Sequence, residues 1–267
     1  MAYRILVLDI DGTLTNNKKE ITERNRKAVI DLQSRGVKVV LASGRPIYGI
    51  VPIAKQIELQ KYGGYILAYN GGQIIDCKDN SLVYSNVLPD DVVPMLYDCA
   101  GKHDMAILSY KGDKILTERP SDEYVLKEAF LNKMEVEGCD DFMQTIELPV
   151  PKCLIVGEPN KLIGVEAEVK DLVQGKINVF RSEPYFLELV PQGIDKAMSL
   201  ATLLDKLGMT REEMVTIGDG FNDLSMIEYA GLGIAMDNAQ EAVKQAAKHI
   251  TASNEEDGVA VAIEKFF

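Results

Sequence analysis

The sequence predicts an α/β protein: a Rossmann-like parallel-sheet core interrupted by an inserted α+β module. Three observations carry this. Short, largely apolar runs at residues 5–8, 37–42 and 214–217 read as strands buried on both faces, the pattern of a parallel sheet with helices on each side. Each run ends in a cluster of Asp, Gly, Ser or Asn. Between about residues 87 and 186 the pattern changes to hairpins and interspersed helices.

The elements follow in order. Residues 5–8 form the first strand, and a polar stretch leads to a helix opened by Thr22 and stopped at Gly36, with Ala28, Val29 and Leu32 at helical spacing. Strands over 37–42 and 65–69 end in Ser43-Gly44-Arg45 and Asn70-Gly71-Gly72. Short strand–helix–strand connections imply parallel pairing with right-handed crossovers. Residues 73–77 and 82–86 flank Lys78-Asp79-Asn80-Ser81 as a hairpin. In the module, 105–110 and 114–118 form a second hairpin about Lys111-Gly112-Asp113. Further strands are expected at 153–156, 177–181 and 186–190, with helices near 90–101, 121–133 and 160–174. The last third returns to the first pattern. A helix over 196–207 carries Ala197, Leu200, Leu204 and Leu207 on one face. Thr210-Arg211-Glu212-Glu213 is a capping box. Strands follow at 214–217, 233–236 and 249–251. The expected division is a discontinuous core, 1–86 and 187–267, and an inserted module, 87–186.

At 267 residues the chain suits a core domain with a smaller second one. Its net charge of −12 argues against binding nucleic acid through a basic surface. It leaves room for a phosphate ligand held by local positive charge or a metal. The four cysteines, Cys77, Cys99, Cys139 and Cys153, are widely spaced and read as reduced thiols. The opening apolar run is too short for a signal peptide or a membrane span. A cytoplasmic protein with no membrane partner is the expectation; the oligomeric state is not legible.

Ligands of open parallel sheets bind beyond the carboxyl ends of the strands. Those ends carry Asp9-Ile10-Asp11-Gly12-Thr13, Ser43-Gly44-Arg45 and Gly218-Asp219-Gly220-Phe221-Asn222-Asp223. If the three strands are neighbours, Asp9, Asp11, Asp219 and Asp223 meet in one pocket with Ser43 on its rim. Four carboxylates so close require compensation, and an oxygen-only set without His or Cys suits Mg²⁺. Mg²⁺ retains waters and takes substrate phosphate oxygens, which points to phosphoryl chemistry. Ser43 and the backbone N–H groups beside it offer donors to a phosphate. A calcium loop starting at Asp9 is excluded, because its sixth position is Leu14 rather than Gly.

The set Asp9-x-Asp11-Gly-Thr-Leu, Ser43-Gly-Arg, Lys196 and Gly-Asp219-Gly-x-Asn222-Asp223 resembles the four motifs of the haloacid dehalogenase superfamily. More narrowly it resembles the Cof-type phosphatases (subfamily IIB, C2-type cap), whose α/β cap is inserted between the second and third motifs. The resemblance covers the whole chain and implies a Mg²⁺-dependent phosphatase acting on small phosphorylated metabolites, above all sugar phosphates. It implies that Asp9 is the nucleophile and forms an aspartyl phosphate, and that Asp11 is the general acid and base. Ser43, Gly44, Lys196 and Asn222 would bind the phosphoryl group, and Lys196 would also neutralise charge beside Asp9. The metal would be held by Asp9, the Asp11 backbone carbonyl and Asp219, with Asp223 beside them.

Without the resemblance, Lys196 reads as a solvated charge at a helix start. His103 and His249 are read as structural, and Asn70-Gly71-Gly72 either as lining for the substrate entrance or as a tight turn after a strand. In the module, Arg119, Arg181, Glu183 and Tyr185 are candidates for substrate contact. Two other readings share these motifs. A sugar-phosphate phosphomutase would accumulate an isomer rather than release phosphate. A non-catalytic phosphometabolite sensor would have lost Asp9 or Asp11, and both are present.

Overall fold

The computed structural model describes residues 3–267. The chain forms two units, one made of the chain up to Ser85 together with Asp195–Phe267, the other of Asn86–Ile194. Five strands come first: Ile5–Leu8 (β1), Lys38–Ala42 (β2), Tyr65–Ala68 (β3), Gln73–Asp76 (β4) and Leu82–Ser85 (β5). The second unit supplies Ala106–Lys111 (β6), Lys114–Thr117 (β7), Glu135–Gly138 (β8), Cys153–Val156 (β9), Ile177–Glu183 (β10) and Phe186–Pro191 (β11). Met214–Gly218 (β12), Leu232–Ala235 (β13) and His249–Ile250 (β14) close the chain.

Among the described residues the first unit holds an eight-stranded sheet, ordered β14-β13-β12-β1-β2-β3-β4-β5. β1 lies between β12 and β2, parallel to both, in a register that pairs Leu8 with Ile217 on one side and with Leu41 on the other. The residues just past these three strand ends are therefore neighbours. β3, β13 and β14 continue the parallel part, while β4 and β5 add an antiparallel edge. β1 is buried at every residue, as expected of a strand covered on both faces.

Local chemistry sets the helices. Thr22 caps Glu23–Ser34 by accepting from the Asn25 N–H at 3.2 Å. Asp195 caps Lys196–Leu207 by accepting from Ala197 and Met198, and Gly208, left-handed, ends that helix. Leu200, Leu203 and Leu204 of this helix pack against Ile5, Val7 and Val40. Burying each leucine contributes ~1.5–3 kcal/mol and anchors the helix that carries Lys196.

The second unit is a six-stranded sheet, β10-β11-β9-β6-β7-β8, antiparallel except for the β7–β8 pair. The helices Val92–Lys102 and Pro159–Val173 share one apolar cluster with it, and Glu123–Asn132 belongs to another. β11 pairs with both β10 and β9, so residues 187–191 are integral to this sheet. The unit thus runs to Ile194, past the expected end at residue 186. β8 was not expected from the sequence. Nor were the helices Ile47–Gln56 and Gly258–Phe266. Pro52 inside the first of these is a stop signal that tertiary packing overrides. All four cysteines are free thiols, and no described helix is long and apolar enough to cross a membrane.

Candidate active site

Asp9 is the first residue past β1. Its N–H donates to Ile217 of β12 at 3.0 Å, and the residue is 5% exposed. The chain then turns back, with Leu14 N–H donating to the Asp9 carbonyl and Thr15 N–H to that of Ile10. Gly12 enters this turn at φ +86°, and a Cβ there would lie 2.4 Å from Asp219 Oδ2. Only glycine meets both the left-handed backbone and the close approach.

Lys196, 1% exposed, puts its ammonium between three acceptors. Nζ lies 2.9 Å from Asp9 Oδ1, 2.5 Å from Asp223 Oδ1 and 2.9 Å from the Ala42 carbonyl. Three acceptors saturate the three N–H bonds of an ammonium. Asp223, fully buried, accepts from the N–H groups of Asp219 and Gly220 at 3.0 and 2.9 Å through Oδ2. Both of its oxygens are thereby engaged, tying the loop after β12 to Lys196. Asp219 accepts from the Thr13 hydroxyl at 2.7 Å.

The electrostatics follow from this packing. Burial, with the charges of Asp223 and Asp219, pushes the Asp9 carboxyl well above the usual range despite Lys196. Burial and Asp223 raise Asp219 to about 6, against the opposing hydrogen bond from Thr13. Burial alone would lower the Lys196 pKa, but the carboxylates of Asp223 and Asp9 outweigh it and raise it. Carboxylate oxygens of Asp9, Asp219 and Asp223 lie within 4.8 Å of one another. Such a crowd of carboxylate oxygens fits a hard divalent cation.

Asp11 departs from the expectation that four carboxylates share one pocket. Its side chain turns away to Arg45, with Nε 2.7 Å from Oδ2 and Nη2 2.7 Å from Oδ1, and to Lys19 Nζ at 2.8 Å. Burial alone would raise its pKa. The hydrogen bonds and charge of Arg45, then Lys19, outweigh burial and lower it. The fork of a guanidinium matches a carboxylate, so the third residue of Ser43-Gly44-Arg45 captures Asp11. The sequence reading used that motif for Ser43 and Gly44 and left Arg45 without a role; Thr13 was missed in the same way.

Ser43 is 3% exposed, and its hydroxyl accepts from the Arg45 N–H at 3.2 Å. Gly44 faces the Asn70 side chain, whose Nδ2 would stand 3.0 Å from a Cβ at this position. Asn222, exposed, donates to Asn70 Oδ1 at 3.0 Å and so ties the loop after β12 to the loop after β3. In the second unit, Arg119 pairs with Asp104 and Arg181 with Glu166. Tyr185 stacks on Tyr124, and Glu183 is exposed. His249 packs edge-on against Phe266.

A family model for haloacid dehalogenase-like hydrolases matches residues 6–263. YxeH of Bacillus subtilis is 33% identical over 98% of this chain and 97% of its own length. The 5-amino-6-(5-phospho-D-ribitylamino)uracil phosphatase YcsE of the same organism is 32% identical over 97% of this chain and 94% of its own. Among solved structures, a haloacid dehalogenase-like hydrolase from Bacteroides thetaiotaomicron is 60% identical, covering 99% of this chain and 100% of its own, with a TM-score of 0.97. The chain belongs to the haloacid dehalogenase-like hydrolase family, as a phosphatase enzyme of that family.

Proposed function

We propose that this enzyme hydrolyses phosphoric monoesters of small metabolites, foremost sugar phosphates, through an aspartyl phosphate on Asp9 with Mg²⁺ as cofactor. The observation that carries this reading is the buried Lys196 bridge between Asp9 and Asp223. Lys196 occupies Asp9 Oδ1 and leaves Oδ2 to attack phosphorus. Asp9, Asp219 and the Asp11 backbone carbonyl would hold the Mg²⁺. When bound, Mg²⁺ offsets the carboxylate charge and that of the phosphoryl oxygens.

In the first half-reaction, Asp9 Oδ2 forms a bond to phosphorus as the ester P–O bond breaks, and the Asp11 carboxyl proton passes to the leaving alkoxide. In the second, Asp11 carboxylate takes a proton from water, the water oxygen bonds to phosphorus, and Asp9 leaves as carboxylate with inorganic phosphate released. The lysine ammonium counters the charge gathered between Asp9 and the phosphoryl group. Ser43, the backbone at Gly44 and Asn222 supply donors to the phosphoryl oxygens. To donate a proton, Asp11 must first leave Arg45 and Lys19, whose hydrogen bonds hold it ionised.

The sugar-phosphate preference rests on the family resemblance and on YcsE, whose named substrate carries a phosphorylated ribityl chain. Selection among such substrates is assigned to the inserted unit, with Arg119, Arg181, Glu183 and Tyr185 its first candidates. The test is phosphate release from a panel of sugar and nucleotide phosphates, with Mg²⁺ or with EDTA, beside Asp9→Asn. Magnesium-dependent release abolished by Asp9→Asn is the expected result. Isomerised sugar phosphate without release would establish a mutase instead, and binding without turnover a sensor.

A further inference from the structure

Among the described residues, metal-ligating side chains converge at one other place, and it lies in the second unit. Cys99 lies on the helix Val92–Lys102 and His103 is the C-cap of that helix. Four residues apart, they share one helix face. Glu168 comes from the neighbouring helix Pro159–Val173. One donor atom from each of Cys99, His103 and Glu168 lies within 4.8 Å of the others. His103 Nε2 stands 2.7 Å from Glu168 Oε2, while Lys102 Nζ takes Oε1 at 2.6 Å.

A surface ion pair beside a buried thiol accounts for part of this arrangement. Two features go beyond it. First, three chemically different donors, a thiol, an imidazole and a carboxylate, meet at one point, which a core cysteine and a helix-surface ion pair do not require. Second, the two helices are locked together by Val93, Leu96, Leu162, Val165 and Val169 in one buried cluster, so the positions of the three residues are set by rigid elements. Cys99 is 4% exposed, and His103 and Glu168 are partly exposed, which gives an ion a path from solvent to the sulfur.

We propose that Cys99, His103 and Glu168 form a zinc site, with water as the fourth ligand. Sulfur, nitrogen and oxygen together are the donor mixture of Zn²⁺ rather than of Mg²⁺, in contrast to the oxygen-only cluster at Asp9. Donors around tetrahedral zinc stand ~3.3–3.8 Å apart, so the His103–Glu168 pair, now at 2.7 Å, opens by about 1 Å to admit the ion. The ion replaces the hydrogen bond between Nε2 and Oε2 with two bonds of its own; the proton shared there moves to His103 Nδ1 or to solvent, and the thiol proton leaves to solvent. Lys102 stays on Oε1 and orients the carboxylate from outside. The ion would clamp the end of one helix to the middle of the other.

The test is a Co²⁺ titration of the full chain in excess Mg²⁺, followed by absorption spectroscopy. Cobalt bound to a thiolate shows near-ultraviolet charge-transfer absorption, and cobalt in an oxygen-only site does not. The expected result is a single equivalent with that band, displaced by Zn²⁺, weakened about ten-fold or more in His103→Gln and absent in Cys99→Ala. His103 is partly exposed at a helix end, so its variant keeps the fold and decides the matter even if Cys99→Ala is unstable. No thiolate band in the wild type would overturn the proposal. So would a band that persists in Cys99→Ala, or one of unchanged affinity in His103→Gln. None of these readouts depends on phosphatase turnover.

Discussion

The guanidinium of Arg45 grips Asp11 through two hydrogen bonds of 2.7 Å, one to each carboxylate oxygen. A residue assigned to donate a proton is thereby stored as a carboxylate, with Lys19 adding a third bond. Arg45 follows directly on the Ser43-Gly44 turn past β2, so the loop proposed to offer donors to a phosphate also holds the proposed acid.

This relationship gives the first prediction. A general acid works in its protonated form, and Arg45 and Lys19 hold the Asp11 pKa down. Arg45→Ala should therefore move the alkaline limb of the kcat/KM profile to higher pH. An unmoved limb, whatever happens to KM, would remove Asp11–Arg45 from the proton-transfer scheme.

Lys196→Met removes the counter-charge of two buried carboxylates. Breaking one partner of a buried pair costs ~3–5 kcal/mol. Urea unfolding should register that loss, and phosphate release should fall by at least ~10². Lys196→Arg should not restore activity, because a planar guanidinium cannot meet the three acceptors around Nζ. Full activity in either variant would contradict the assigned role.

Gly12→Ala places a Cβ 2.4 Å from Asp219 Oδ2 at a positive φ. The backbone strain alone is worth ~1–3 kcal/mol. The variant should lower Tm and also shrink the Tm rise caused by Mg²⁺, since Asp219 must shift. A purely structural glycine would change the first without the second.

The pH dependence has a definite sign. The Asp219 pKa in the folded protein is raised to about 6. Ionised Asp219 therefore costs stability above pH 6, and the cost is relieved as pH falls through 6 toward the ordinary Asp range. Because the group is partly solvated, the effect is on the order of 1 kcal/mol. In EDTA, lowering pH from 7 toward 5 should relieve this cost, and Asp219→Asn should flatten the trend. With Mg²⁺ the stabilisation by mass action should be largest at pH 7 and fade below 6, as protons compete for the carboxylates. Differential scanning fluorimetry across pH, with and without Mg²⁺, reads both arms; a Mg²⁺ effect independent of pH would argue against Asp219 as a ligand.

The sequence by itself determined the parts whose physics is local. A four-residue apolar run such as residues 5–8, bounded by turn-forming residues, suits a strand covered on both faces, and the polar clusters after such runs mark the expected ligand-binding edge. Thr22 announces a helix start because capping involves neighbours in the chain. Asp9, Ser43 and Asp219 were legible for the same reason, each standing one or two residues past a strand.

Tertiary structure alone decided the rest. Nothing in the neighbourhood of Lys196 distinguishes a solvated helix-start lysine from a buried one; its burial arises from packing against Asp9, 187 residues earlier. The direction of the Asp11 side chain depends on Arg45, 34 residues away, and on the register that sets β1 beside β2. The end of the second unit at Ile194 follows from β11 pairing on both edges, a property of the sheet rather than of its sequence. Capping and burial patterns are written over a few residues, whereas charge pairing and strand order depend on what distant segments bring to the same place.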